Sequence, residues 1–294
     1  MEVKHVGVVG CGLMGSGIAQ TAAQAGLDVT VREVDQDLLD KGLGRIRKFL
    51  DGGVAKGKIA REDADAILAR IHGTTDLEAL AESNLVVEAV TENLDLKREV
   101  FTTLDRACPD TTILASNTSS LSITEMAAMT GRPERFLGLH FFNPVPLMKL
   151  VEVVKTVRTV PDTIETGMAF ARKLGKSPIL VKDSPGFVVN LLLVPYLLDA
   201  VRALEKGVAS IEDIDQGMKL GTGYPMGPFT LLDFVGLDTT YYIANIMFDE
   251  FKGPQYAAPT LLKRMVLAGY LGRKSGKGFY DYSQDPPRPT EGLI

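Results

Sequence analysis

The chain has 294 residues, 45% of them hydrophobic and 23% charged, which excludes a disordered chain and is length enough for two domains. A formal charge of −5 argues against a general nucleic-acid binder, so any anionic ligand must meet a local basic patch or a helix N-terminus. Its two cysteines, Cys11 and Cys108, form neither a disulfide framework nor a metal-binding pattern and suit a reducing cytoplasm.

Met1 to Lys4 lead straight into a predicted strand, His5–Val9, so no signal or transit peptide is expected. Gly10-Cys11-Gly12-Leu13-Met14-Gly15 follows, and then Ile18, Ala19, Ala22 and Ala23 at helical spacing. In this strand, glycine turn and helix, Gly10 permits the tight turn and Gly12 lets the backbone approach a pyrophosphate. Gly15 lets the helix close on the strand, and the helix N-terminus faces the phosphates. The next strand, Val29-Thr30-Val31, ends at Arg32-Glu33. An acid at this strand end accepts ribose hydroxyls and repels a 2′-phosphate, so Glu33 favours NAD; Asp35 competes for the role, and Arg32 leaves room for NADP.

Residues 36–72 are expected to form a helical hairpin inserted between strands, with Gly52-Gly53 separating its two helices, the second over 61–70. Its basic residues, Lys41, Arg45, Arg47, Lys48, Lys56 and Lys58, are either solvated or placed to meet a phosphate-bearing ligand. A buried-type strand over 85–90 carries Thr91-Glu92-Asn93 at its carboxyl end, where ligands of open α/β sheets bind. A helix with Lys97, Val100, Phe101 and Leu104 comes next, and then a strand over 113–115 that ends in Ser116-Asn117-Thr118-Ser119-Ser120. A short helix over 121–129 precedes strands over 135–139, ending at His140, and 150–154, carrying Glu152. A helix over 160–174 and a strand over 178–181 complete an α/β, Rossmann-type, doubly wound and mostly parallel sheet.

After Asp183-Ser184-Pro185-Gly186 the strand signals fade. One long helix over 187–206 contains Pro195. Its most apolar part is interrupted by Asn190 and Pro195 and is too short to span a bilayer. Helices over 211–220 (Ser210 as N-cap), 229–251 and 260–268 follow, and the proline-rich stretch 284–289 reads as low in order. The expected domains are therefore 1–185 and an all-α C-terminal domain over 186–294. The apolar surplus of the second predicts a subunit interface, hence a homodimer.

His140 is one of three histidines and stands between Leu139 and Phe141-Phe142. An imidazole that works as a general base needs a partner to fix its tautomer and stabilise its charged form, and Glu152 is the candidate. For a lone histidine the plainer reading is a core residue with satisfied hydrogen bonds. Likewise Ser119 also reads as a helix cap, and Asn190 as a polar group in an apolar helix that needs a partner in any case.

The set changes that balance. S-N-T-S-S-L, L-H-F-F-N-P-V-P-L-M-K-L-V-E-V, D-S-P-G-F-V-V-N, G-Y-P-M-G-P-F and G-R-K-S-G-K-G-F-Y-D-Y occur in this order over nearly the whole chain. Together they resemble the 3-hydroxyacyl-CoA dehydrogenase family, in particular its bacterial 3-hydroxybutyryl-CoA type. The resemblance implies an NAD-dependent enzyme that oxidises an (S)-3-hydroxyacyl-CoA reversibly to the 3-oxoacyl-CoA, a reaction of fatty acid metabolism, with β-oxidation, butyrate or polyhydroxybutyrate metabolism and aromatic-acid breakdown all open as its pathway; the sparse cysteines keep the expected location cytoplasmic. It implies His140 as the base, Glu152 as its partner, and Ser119 and Asn190 near the substrate's 3-oxygen and thioester. It further implies cofactor contacts from the glycine turn (Gly10, Gly12, Leu13, Met14, Gly15) and from Glu33, Glu92, Lys97, Ser119, Asn143 and Lys274. The family's ribose acid is usually aspartate where this chain has Glu33. The family's serine and lysine contacts to coenzyme A have no matching residue here, since Arg45 and Gly52 fall near those places. Two alternatives stand beside it. A β-hydroxyacid dehydrogenase of the 6-phosphogluconate type would use a lysine as acid/base. A non-catalytic, crystallin-like nucleotide-binding protein would not be expected to keep His140, Glu152, Ser119 and Asn190 together.

Overall fold

Short apolar strands alternating with amphipathic helices build the first of two units, Met1–Phe187, in a computed structural model that describes residues 1–293. In chain order they are β1 (His5–Val9), α1 (Leu13–Gln24), β2 (Asp28–Arg32), α2 (Gln36–Ala55), α3 (Arg61–Ala69) and β3 (Ile71–Thr74). These are followed by β4 (Leu85–Glu88), α4 (Leu94–Ala107), β5 (Ile113–Ser116), α5 (Ile123–Ala127), β6 (Phe136–Phe141), β7 (Leu150–Lys155), α6 (Pro161–Lys173) and β8 (Ser177–Lys182). The eight strands form one sheet in the order β3-β2-β1-β4-β5-β6-β7-β8. Every neighbouring pair is parallel except β6 and β7, which run antiparallel.

Successive side chains of a strand point to opposite faces, and this sheet is apolar on both. Val6, Val8, Leu85, Val87, Leu137 and Leu139 pack with α1 and α6 in one core. Val9, Val86, Leu114, Phe136 and Val154 pack with α4 and α5 in another. Because both faces are covered, β4, β5 and β6 are buried along their whole length. A polar side chain within them is therefore dry and needs a partner.

The hairpin differs from the sequence reading in two ways. First, α2 runs through Gly52 and Gly53 to Ala55, and the chain reverses at Gly57, whose φ of +65° is the left-handed value that favours glycine. Second, the hairpin leads into an edge strand, β3, parallel to β2, and so is a crossover between neighbouring strands. β3 was not expected because Ile-His-Gly-Thr is short and half exposed. α2 also lies tight on the glycine turn. A Cβ on Gly42 would stand 2.2 Å from the Cys11 sulfur, and Arg45 Nη2 donates to the Cys11 carbonyl at 2.6 Å.

The second unit begins at Val188. It contains α7 (Val189–Glu205), α8 (Ile211–Thr222), α9 (Pro228–Val235), α10 (Leu237–Phe251) and α11 (Thr260–Leu267) around an apolar core. Pro195 lies inside α7 without ending it, and the Ser210 hydroxyl caps α8 by accepting from Asp213 N at 3.1 Å. The single helix expected over 229–251 is two, because Gly236 at φ +103° turns the chain between α9 and α10. The proline-rich stretch, expected to lack order, ends in β10 (Arg288–Pro289), which pairs antiparallel with β9 (Tyr280–Asp281). Among the described residues no helix is long and apolar enough to cross a membrane.

Candidate active site

The glycine turn between β1 and α1 is built from backbone. Gly10 has φ +92°, and a Cβ there would lie 2.7 Å from Ala89 O; a Cβ on Gly15 would lie 1.8 Å from Gly10 O. Gly12 is the opposite case, with nothing within 4 Å of where its Cβ would be. As N-cap of α1 it supplies no side chain, and the first turn holds no carboxylate. The orphan N–H groups of that turn thus face an open approach, bordered by Leu13, which is exposed, and Met14. This fits the pyrophosphate of a dinucleotide, whose charge the helix end favours.

Glu33 follows β2. Its Oε2 accepts from Cys11 N at 2.7 Å and its Oε1 from Val34 N at 2.8 Å, so the carboxylate is held at the rim of the turn. Asp35, the competing candidate, caps α2 by accepting from Leu38 N at 2.8 Å. Arg32 donates through Nε to Thr75 O at 3.2 Å. Burial and the neighbouring Glu33 push the Cys11 thiol up to about 11, which keeps it protonated and unreactive.

At the other side of the sheet, β6 and β7 pair so that His140 stands opposite Glu152. His140 Nδ1 lies 2.6 Å from Glu152 Oε2. Glu152 is fully buried and His140 only 6% exposed, with its ring against Phe142 and Phe187 at centroid distances of 4.6 and 5.5 Å. A carboxylate accepts only, so Nδ1 carries the proton of the neutral ring and Nε2 is left as its basic nitrogen. Next to this pair, Asn117 Oδ1 accepts from Phe141 N at 3.0 Å and ties the end of β5 to the end of β6.

A second polar cluster joins β4, α4 and the connection after β5. The Lys97 ammonium, 1% exposed, bridges Glu88 Oε1 at 2.7 Å and Glu92 Oε2 at 3.1 Å. Glu92 Oε1 accepts from the Thr118 hydroxyl, from Ser119 N at 3.2 Å and from the Ser120 hydroxyl at 3.3 Å. Ser119 is half-buried and does not cap the following helix; Ser122 does, by accepting from Glu125 N at 3.2 Å. Asn143 is exposed and begins the connection between β6 and β7. In the second unit, Asn190 lies half-buried in the first turn of α7, and Lys274 is paired with Asp238 at 2.6 Å.

The structure therefore brings Glu92, Lys97 and Ser119 into one network and His140 and Glu152 into another, while Gly10 to Gly15 and Glu33 form a third group. Thr118 and Glu88 belong to the Glu92–Lys97 network, and Asn117 ties the strand ends beside His140, although none was singled out as a site residue. An acid in the apolar run Leu85-Val86-Val87-Glu88-Ala89 was the available signal for Glu88.

Known proteins point the same way. The profile described as 3-hydroxyacyl-CoA dehydrogenase, NAD binding domain, matches residues 5–184, and the C-terminal domain of the same family matches 186–282. The chain is 50% identical over 282 residues to a 3-hydroxybutyryl-CoA dehydrogenase of Mycobacterium tuberculosis, covering 95% of this chain and 99% of that one. It is also 50% identical over 288 residues to a mitochondrial hydroxyacyl-coenzyme A dehydrogenase of Sus scrofa, covering 95% and 91%. Among solved structures it is similar to (S)-3-hydroxybutyryl-CoA dehydrogenase from Ralstonia eutropha, with a TM-score of 0.93 and 45% identity over 96% of this chain and 100% of that one.

Proposed function

The chain belongs to the 3-hydroxyacyl-CoA dehydrogenase family and is an NAD-dependent oxidoreductase of 3-hydroxyacyl-CoA, and from that premise we propose that His140 is its general acid/base, oriented by Glu152. The observation that carries this reading is the 2.6 Å contact between Nδ1 and a fully buried carboxylate on the facing strand. Oxidation of the alcohol breaks the C3–H and O–H bonds. NAD, when bound, accepts the hydride. His140 takes the hydroxyl proton on Nε2, and Glu152 stabilises the imidazolium that results. In the reverse direction the same nitrogen returns the proton to the 3-oxygen. A positioned base of this kind contributes roughly 10²–10⁴-fold in rate.

The remaining assignments extend this proposal. Ser119 and Asn190 hold the substrate's 3-oxygen and thioester with groups that do not ionise. Gly10, Gly12, Leu13, Met14 and Gly15 receive the pyrophosphate, and Glu33 the adenosine ribose. Glu92, Lys97, Ser119, Asn143 and Lys274 complete the cofactor contacts. Residues 1–185 act as the cofactor-binding domain and 186–294 as the substrate and dimer domain of a cytoplasmic homodimer. The preferred substrate is the four-carbon 3-hydroxybutyryl-CoA, the substrate in the names of the bacterial relatives. The test is the loss of NADH absorbance on adding acetoacetyl-CoA and then longer 3-oxoacyl-CoA esters, with NADPH in parallel. Turnover should be fastest with the C4 ester and NADH. A higher kcat/KM for long esters would overturn the substrate assignment, and equal use of NADPH would overturn the role of Glu33.

A further inference from the structure

Glu88 is a buried acid to which the reaction gives no task. It ends β4 at 0% exposure and is not among the cofactor contacts proposed above. Both its oxygens are engaged: Oε1 accepts from Val90 N and from Lys97 Nζ, each at 2.7 Å, and Oε2 from the Ser116 hydroxyl at 2.6 Å. Taking a carboxylate and an ammonium out of water is costly, and only good geometry and further hydrogen bonds offset it. What this pair holds is the ligand-facing end of the sheet. Lys97 also reaches Glu92, and Glu92 accepts from Ser119 N and from the hydroxyls of Thr118 and Ser120. A continuous chain of charge-assisted contacts thus runs from the carboxyl end of β4, through α4, to the connection after β5. Carboxyl ends of parallel strands are where open α/β sheets bind ligands. Without the Glu88 charge, the Lys97 ammonium would be left in a dry site and drawn wholly toward Glu92, which displaces Glu92 from the Ser119 amide.

We propose that Glu88 is a positioning residue of the cofactor site, fixing Lys97 and, through it, the Glu92–Ser119 connection in the arrangement that binds the dinucleotide. This rests on the reading of Glu92, Lys97 and Ser119 as cofactor contacts. The test compares Glu88→Gln, Lys97→Met and the double variant in the full-length protein. The readouts are NADH Kd from the fluorescence of the reduced cofactor, kcat at saturating NADH, and thermal unfolding. Glu88→Gln is expected to weaken NADH about tenfold or more while kcat at saturation stays within about threefold. In the Lys97→Met background the same substitution should add nothing, because residues that act through one another are non-additive. Glu88→Asp keeps the charge with a shorter reach and gives a second, milder variant, expected to weaken NADH about threefold. A fall in Tm with NADH affinity unchanged in both Glu88 variants would make the residue merely structural and overturn the proposal. Loss of NADH binding in Lys97→Met with binding unchanged in Glu88→Gln would overturn it too, while leaving the cofactor reading standing. Unchanged binding in Lys97→Met as well would instead sink the cofactor reading of the cluster.

Discussion

At His140 the neighbouring strand supplies what an isolated imidazole lacks. A base must hold one tautomer and be compensated when it charges, and in the proposed role of His140 the carboxylate of Glu152, 2.6 Å from Nδ1, would do both. His140→Gln keeps a polar side chain of similar size but has no basic nitrogen. Its kcat should fall by about 10²–10⁴-fold, with NADH affinity within about twofold of the parent. Steady-state assays with acetoacetyl-CoA beside a fluorescence titration of NADH measure the two quantities, and an unaltered kcat would remove His140 as the base. Both residues could be named from sequence because each interrupts an apolar strand. Their contact could not, since it depends on how the connection over 142–149 sets the pairing of β6 with β7. Asp35 and Glu33 present the same limit. Two acids near one strand end look alike in sequence, and only backbone geometry makes one a helix cap and leaves the other at the glycine turn.

Among the elements, the segment over 271–282 depends most visibly on a single side chain. Asp233, 1% exposed, accepts from Phe279 N and Tyr280 N at 2.8 Å and from the Tyr282 hydroxyl at 3.1 Å. Burial raises its carboxyl from an ordinary 3.8 to about 6, against the opposing pull of those three donors. The folded protein therefore binds this proton more tightly than the unfolded chain. The resulting stabilisation is fully present below about 3.8 and is lost as pH rises through about 6. Its ceiling is about 3 kcal/mol. Denaturant unfolding of the parent and of Asp233→Asn between pH 4 and pH 7 should give a stability difference that falls by up to that amount as pH rises; a difference independent of pH would refute it. Element boundaries were legible where a capping side chain marked them locally, as Ser210 does before α8. They were misread where glycine had two meanings: Gly52 and Gly53 sit in an ordinary helix, whereas Gly57 and Gly236 turn the chain at positive φ. A lone Gly-Gly pair carries no mark that separates these cases.

For the whole molecule, the alternation of strands and helices followed by helices alone made the division into an α/β unit and a helical unit readable. The edge strand β3 and the closing β9–β10 ladder escaped because each is only two to four residues long. The helical unit also leaves several large apolar side chains exposed. Leu192, Leu220 and Leu267 are each at least 70% exposed. Val188, Leu192, Tyr196, Tyr224, Met226 and Leu231 line an open groove of about 400 Å³. Contiguous apolar surface of this kind marks an interaction site, and a second copy of the chain is its proposed occupant. Sedimentation velocity at micromolar concentration should give a species of twice 31.8 kDa. A monomer under those conditions would rule the homodimer out.

The only antiparallel pair in the large sheet, β6 with β7, is also the pair that joins His140 to Glu152. Strand side chains alternate in direction, so a slip of one residue would turn Glu152 to the opposite face and leave the imidazole unpartnered. Chains zipped one step out of phase would have the same strand content and the same circular dichroism as native ones, yet no paired base. With His140 in its proposed role, turnover recovered after refolding would be a head-count of correctly phased hairpins, a quantity that spectroscopy of the sheet does not resolve.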